Sequence, residues 1–215
     1  MTSHTAGLLG SGWSVAKQAF DKQAEQAKAN ARTFRFLLKP NESARIVILE
    51  DEPAAVVEEH FIRTDRPRNI VCPGDGCPLC ASGNKKSLVA YFTILHLTKI
   101  EREGGDPIVN PIRMLGAKSF TAEYLIRQHE KRGGLQGCVF DVERSTRKQA
   151  ASVGDIWEFV EKISKADIKK LNPEAKPLNF QEELEFLSVS EISKISMDGA
   201  KAAEQEDAPA QEVEW

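Results

Sequence analysis

One histidine and three of the chain's four cysteines fall within the stretch HFIRTDRPRNIVCPGDGCPLC, residues 60–80. One imidazole and three thiols are the ligand set that a tetrahedral structural zinc ion takes. Two intervening residues in Cys-Pro-Leu-Cys let both thiolates reach one metal, and glycines in the preceding turn let it fold around the ion. The sequence therefore predicts a loop that holds structural Zn²⁺ as cofactor. The four predicted ligands are His60, Cys72, Cys77 and Cys80.

Three alternatives compete with a structural zinc site. A disulfide is disfavoured because the N-terminus lacks the order of a secretory signal, and clustered cysteines in a reducing compartment more often hold metal. A catalytic zinc keeps one position for water, and the His-x-Glu of zinc deaminases is missing, since Phe61 and Ile62 follow His60. Free thiols are the third alternative. Cys138 could replace one ligand, although the apolar run GCVFDV favours a small buried thiol there. We expect no enzyme.

Composition predicts one main domain with appendages. The 215 residues are 41% hydrophobic and 28% charged, enough for one good core or one core with a small satellite. No stretch approaches the apolar length of a membrane helix. We expect a soluble, cytoplasmic protein.

The order of predicted elements suggests the fold. A helix is expected over residues 14–32, a hairpin over 33–51, strands over 54–63, 87–101 and 111–117, and a helix that starts at Ser119 and ends at Gly133-Gly134. Strands over 136–145 and 155–163 follow, and residues 183–194 predict a last strand or short helix. This order favours a mainly β protein with an inserted helix, an OB-fold-like Greek-key barrel. A sandwich without closure would use similar strands.

The predicted domain boundaries follow from this order. Residues 1–32 form an N-terminal helical arm, residues 33–190 the core with its zinc loop at 60–86, and residues 191–215 a disordered acidic tail.

Basic residues cluster at the zinc loop, at the first predicted hairpin and in the sequence RSTRK. A firm loop and hairpin tips at a barrel mouth would present these cations to phosphates, whereas an isolated charge run usually marks a solvated face. Tyr91 and Trp157 are the candidate rings for stacking on bases, while Phe92 and Phe140 are expected in the core. The predicted DNA-contacting cations are Arg35, Lys39, Arg45, Arg63, Arg66, Arg68, Lys85, Lys86, Arg144, Arg147 and Lys148.

The C-terminal end carries the opposite charge. Residues 182–215 contain ten Asp and Glu and two Lys, whereas the rest of the chain is mildly basic. Such a tail can compete with phosphate for a basic groove, and its terminal ring can enter a partner's pocket. A purely solubilising tail is the alternative. The predicted partner-binding residues are Glu212, Glu214 and Trp215.

These parts together resemble the zinc-containing single-stranded DNA-binding proteins of tailed phages, the helix-destabilising proteins of the T-even type. The shared features are the His-then-three-Cys pattern H60…C72…C77PLC80, the section PIRMLGAKSFTAEYL followed by GCVFDVERS, and the acidic tail. The resemblance implies an OB-fold and a protein that coats and protects single-stranded DNA during replication, recombination and repair. It also implies a tail that recruits replication proteins, and self-association through the N-terminal arm.

One feature departs from this family. Residues 1–10 contain no Lys or Arg, whereas the family's cooperativity arm is basic, so high cooperativity is not expected. A zinc-ribbon adaptor or transcription-type factor without strong affinity for single strands is the alternative function.

Overall fold

Runs of β-branched and aromatic residues form antiparallel strands around one long central strand. The structure is a computed structural model and describes residues 12–15, 17, 18, 20, 33–62, 68–102 and 105–195. The strands are β1 (Ser43–Ile48), β2 (Ala55–Ile62), β3 (Arg68–Val71), β4 (Lys86–His96), β5 (Lys99–Arg102), β6 (Gly105–Val109), β7 (Ile112–Lys118), β8 (Cys138–Glu143) and β9 (Ile156–Lys162). The helices with defined bounds are α1 (Pro78–Ala81), α2 (Ser119–Arg132), α3 (Lys165–Leu171) and α4 (Phe180–Glu183). Residues 189–195 are also helical.

The chain divides into two compact units, Met1–Phe34 and Arg35–Trp215. In the first unit residues 13–15, 17, 18 and 20 are helical, and the side chains of Trp13 and Phe20 are exposed. These residues agree with the start of the predicted helix over 14–32. The remainder of that prediction, residues 21–32, lies outside the described part.

In the second unit β4 holds the main sheet together. Its sequence KSLVAYFTILH is almost continuously apolar, as expected for a strand that is covered on both faces. Along one edge β4 pairs with β2 and then with β1, and along the other edge it pairs with β7. The resulting order is β3-β2-β4-β1-β8-β9, with β7 beside β4, and every ladder is antiparallel.

The prediction of a mainly antiparallel β protein with an inserted helix is confirmed. Within the described residues no ladder joins β7 to β9, so the structure does not show a closed barrel. Helix α2 starts at Ser119 as predicted. It ends at Arg132 and is capped by Gly133, whose φ of 62° is the left-handed conformation that glycine adopts without a Cβ penalty. One face of the sheet packs on α2 through Phe92 and Leu125. Phe140, also predicted in the core, lies in the same cluster.

Two predictions of local structure are wrong, and two helices were not predicted. Residues 33–38 are not the first strand of a hairpin. Arg35 forms a single parallel bridge with Met114, and Phe36 and Leu38 are buried separately. The strand predicted over 87–101 ends at His96, and residues 99–109 form a separate β5–β6 hairpin. The sequence analysis also missed the helices over residues 165–183, although Ser164 caps α3 by accepting from the Asp167 N–H, a recognisable start signal.

The other face of the sheet is covered by the C-terminal part of the described chain. Phe180 and Leu184 pack there against Val89, Tyr91 and Met114. In the described residues no helix is long and apolar enough to cross a membrane.

Candidate metal centre

Three local elements bring the four predicted ligands together. His60 lies on β2, Cys72 follows the end of β3, and Cys77 and Cys80 lie at the start and in the middle of α1. Pro78 opens α1, where its missing N–H costs no hydrogen bond, and this short turn places the two thiols on one side. The ligand atoms of all four side chains lie within 4.8 Å of one another.

Three of the distances between these atoms fit a tetrahedral ion. The Sγ atoms of Cys72 and Cys80 are 3.7 Å apart, and the His60 Nε2 lies 3.5 Å from Cys77 Sγ and 3.4 Å from Cys80 Sγ. Tetrahedral bonds of about 2.3 Å to sulfur and 2.0 Å to nitrogen would set S···S at ~3.8 Å and S···N at ~3.5 Å. The cluster could therefore bind a metal ion.

The electrostatics of the thiols also favour a cation. Burial raises the pKa of Cys77, but hydrogen bonds from the N–H groups of Cys80 and Leu79 and from the Cys72 and Cys80 side chains together outweigh burial and lower that pKa below its usual value. Desolvation and the nearby sulfurs of Cys72 and Cys77 raise the pKa of Cys80 to about 11. Three thiolates this close repel each other, and a bound cation would remove that repulsion.

An outer partner fixes the orientation of the histidine. Asn84 Oδ1 lies 3.1 Å from His60 Nδ1, which leaves Nε2 for the metal side. The Asn84 Nδ2 donates to the carbonyl of Phe61 at 3.3 Å. Metal-bound histidines usually have such a partner on the second ring nitrogen. The sequence analysis missed Asn84, and its position outside the Cys spacing gave no signal.

The metal loop, residues 68–84, is held against the C-terminal segment, residues 185–195. Leu79 and Cys77 pack with Ile62, Ile70 and Ile192, all buried. The backbone N–H of residue 71 donates to the carbonyl of residue 185 at 3.0 Å. Two of the ligands, Cys72 and Cys77, therefore belong to one packed cluster with Leu187, Ile192 and Ile195.

The predicted cations have unequal surroundings. Four of them form ion pairs, which reduces the charge that they can offer to phosphate. The pairs are Arg35–Glu59, Arg45–Asp141, Arg68–Glu185 and Lys86–Glu58. A surface depression of about 490 Å³ beside Arg45 is lined by Asp141, Glu143 and Glu158, which makes that surface acidic.

The remaining predicted cations divide into three kinds. Arg144 donates to the carbonyl of Leu38 at 2.7 Å, and its Nε is buried with no partner in the described structure. Four side chains are exposed and make no ion pair within the described residues: Lys39, Lys85, Arg147 and Lys148. Arg63 and Arg66 lie outside the described residues, as do Glu212, Glu214 and Trp215 of the predicted tail.

The prediction of Tyr91 as a stacking ring is wrong. Tyr91 is 0% exposed, and its ring lies 5.5 Å from that of Phe180. Its strand is apolar on both faces, so the sequence did not tell which face the C-terminal segment covers. Trp157 is half-buried, its ring packs on Tyr124 and Phe140, and its Nε1 donates to the carbonyl of Gly154. These contacts leave Trp157 little ring surface for a base.

Tyr91 belongs instead to a buried ionic network. Its hydroxyl donates to Glu59, a carboxylate on a side chain that is 2% exposed, at 2.5 Å. Arg35 and Lys118 approach the same carboxylate at 3.1 Å and 3.4 Å. Burial, with Glu59 beside it, raises the pKa of Tyr91. The network links β2, β4 and the end of β7.

Cys138 and His96 are not among the clustered ligands. Cys138 is buried on β8 and its Sγ lies 3.6 Å from the carbonyl of Gly134, as expected for a core thiol. His96 lies at the end of β4 with its ring edge-on to Phe36. Burial, then Arg113, lowers the pKa of His96.

No family model, curated protein or solved structure matches this chain.

Proposed function

We propose that this chain is a non-catalytic protein that binds single-stranded DNA without sequence preference, with a structural zinc ion at the cluster of His60 and the three cysteines. The observation that carries the proposal is the convergence of the four ligand atoms at the base of a basic loop. A metal there would make residues 68–86 a firm surface beside the sheet. A firm basic surface can align phosphates at a low entropic cost.

The strand order supports an OB-type arrangement for the sheet. Strands β1 and β2 both pair with β4, β4 pairs with β7, and α2 connects β7 to β8, which returns to β1. An OB-fold has this sequence of pairings, with its helix between the third and fourth strands of the barrel. We propose that the sheet is a partly open barrel of this kind. Such barrels commonly bind oligonucleotides.

Zinc is the ion that the donor set favours. Three thiolates and one imidazole in tetrahedral geometry are a soft set that suits zinc and disfavours calcium or magnesium. With all four positions filled by protein, the ion would have no open position for substrate, so its role would be structural and the protein no enzyme. One zinc per chain by elemental analysis is the expected result.

The resemblance to phage proteins supplies the biological part of the proposal. We propose that the protein coats single strands during phage replication, recombination and repair in the host cytoplasm. Its acidic tail, ending in Glu212, Glu214 and Trp215, would recruit replication proteins, and the N-terminal arm would allow self-association.

Fluorescence anisotropy with a labelled oligothymidine of ~20 nucleotides tests the proposal. The logarithm of the association constant should fall linearly with the logarithm of the salt concentration, with a slope of roughly −0.7 for each phosphate neutralised. A duplex of the same length is the control and should bind more weakly. No binding of oligothymidine at ~50 mM salt would refute the proposed function.

A second function is favoured by the ion pairs. Four of the predicted cations already have carboxylate partners, and this charge balance suits a zinc-ribbon adaptor that binds another protein. An adaptor would contain the metal but give no salt-dependent signal in the same titration.

A further inference from the structure

Two exposed phenylalanine rings lie close to the metal cluster, one on β2 and one in the segment that bridges to the end of β3. Phe61 is 46% exposed and Phe186 is 48% exposed. Phe61 pairs with Asn69 across β2 and β3, and Phe186 forms a parallel bridge with Val71. Side chains alternate along a strand, so residues 69 and 71 point to one face, and their partners Phe61 and Phe186 share it.

Both rings are tied to the metal cluster. Phe61 directly follows His60, and its carbonyl accepts from Asn84, the residue whose Oδ1 lies beside the His60 ring. Phe186 pairs with Val71, which directly precedes Cys72. A filled metal site would therefore fix the backbone beneath both rings.

Two cations surround a single carboxylate on the same face. Glu59 lies two residues before Phe61 on this face, and its single buried carboxylate contacts both Arg35 and Lys118. The Lys118 side chain is 49% exposed, so its ammonium group can also contact an anion from solvent.

We infer that Phe61 and Phe186 form a platform on which unpaired nucleobases stack, with Lys118 placed for the phosphate backbone. The inference rests on the proposed function and names the side of the protein that contacts the bases. Phe61 and Phe186 lie on opposite sides of β3, two strand spacings apart, and their partners Asn69 and Val71 are two residues apart along it. This geometry puts the Cα atoms of Phe61 and Phe186 roughly 12 Å apart, so each ring stacks on a different base. Exposed rings beside a cation suit single strands, because stacking tolerates every base and the phosphates need positive charge.

The test replaces each ring by a side chain of similar bulk without an aromatic face. Phe61→Leu and Phe186→Leu are titrated with oligothymidine beside the wild type and Phe120→Leu. Phe120 is the matched control, because it is 54% exposed but lies on α2, which packs on the opposite face of the sheet. Metal content and the urea midpoint of each variant establish that it is folded. A second probe is the same oligonucleotide with abasic sites in place of its bases.

Each platform variant should bind oligothymidine roughly 5- to 100-fold more weakly than the wild type, with an unchanged salt slope, because a ring neutralises no phosphate. The Phe120 variant should bind like the wild type. The abasic strand should bind wild type and platform variants alike. Platform variants that match a DNA-binding wild type would overturn the inference and leave the proposed function intact. A wild type that binds no oligothymidine would overturn both.

Discussion

Removing the metal should loosen one part of the molecule and leave the rest folded. The part concerned is the metal loop, residues 68–84, together with the C-terminal segment that packs on it through Ile192. The main core around Phe92, Leu125 and Phe140 contains no ligand. Chelation is therefore expected to act locally.

The expected size of this effect follows from the interactions that keep the metal loop closed. Four buried aliphatic side chains, Ile62, Ile70, Leu79 and Ile192, contribute roughly 6–12 kcal/mol at 1.5–3 kcal/mol each. Fixing the backbone of the 17 residues from 68 to 84 costs roughly 17–34 kcal/mol. A structural zinc supplies about 10–16 kcal/mol, which closes most of the difference. Without the ion, the loop should open.

Hydrogen exchange can measure this opening amide by amide. At a free metal concentration 1,000 times the dissociation constant, bound metal stabilises the closed loop by about 4.1 kcal/mol, which slows exchange roughly 1,000-fold. The reporters are amides with defined acceptors: Val71 to Glu185, Cys72 to Glu58, and Asn84 to Leu79. The Gly137 amide, which donates to Ile48, is the control in the main core and should keep its exchange rate.

Two results would refute this reasoning. Equal exchange of the loop amides with and without metal would show that packing alone orders the loop. A simultaneous loss of protection at Gly137 would show that the metal holds the whole unit and that the opening is not local.

Three further predictions concern single side chains. Replacing Cys138 by Ala should leave one metal ion bound per chain. Cys80→Ala should lower the affinity for Co²⁺ and change the thiolate-to-Co²⁺ absorption bands, which a spectroscopic titration with Co²⁺ measures. The variant Glu59→Gln should destabilise the protein by about 1–3 kcal/mol in urea unfolding, because it removes the buried carboxylate that accepts hydrogen bonds from Tyr91 and Arg35; an unchanged midpoint would contradict the role of the network. The guanidinium of Arg45, chiefly by its hydrogen bonds, lowers the pKa of Asp141 in the folded protein below its usual value. The pair therefore stabilises the fold at pH values above the pKa that Asp141 has in the unfolded chain. This stabilisation disappears as the pH falls through the lower pKa of the folded protein. Arg45→Gln should therefore lower the urea midpoint slightly near neutral pH, and the difference should shrink as the pH falls; a difference that grows in acid would disprove the assignment.

The metal cluster and α2 were predictable because their signals are local. The four ligands lie within 21 residues, and two short turns suffice to bring them together. The helix has a polar start at Ser119 and a left-handed glycine at its end, both of which depend only on neighbouring residues.

The neutralisation of the cations was not predictable because each partner is distant in the sequence. Arg35 and Glu59 are 24 residues apart, and Arg68 and Glu185 are 117 residues apart. A list of basic residues gives their charges but not their partners. The predicted groove therefore counted side chains whose charge is already engaged.

The prediction that Tyr91 stacks on bases failed for a related reason. Period-two alternation tells which residues share a face, but both faces of β4 are apolar, so the pattern does not identify an exposed one. The covering ring, Phe180, lies in a segment that has weak strand and helix signals. Phe186 was missed because its strand contact is a single bridge to Val71.

The position of β1 has a consequence for biosynthesis. This strand lies between β4 and β8, and its contacts with β8 join residues such as Arg45 and Asp141, which are 96 positions apart. While the ribosome is still making the intervening residues, one edge of β1 has no partner, and closing so long a loop delays the sheet. The contacts between His60 and Asn84 span only 24 positions. A nascent chain can thus gather its metal ligands well before the central sheet is complete.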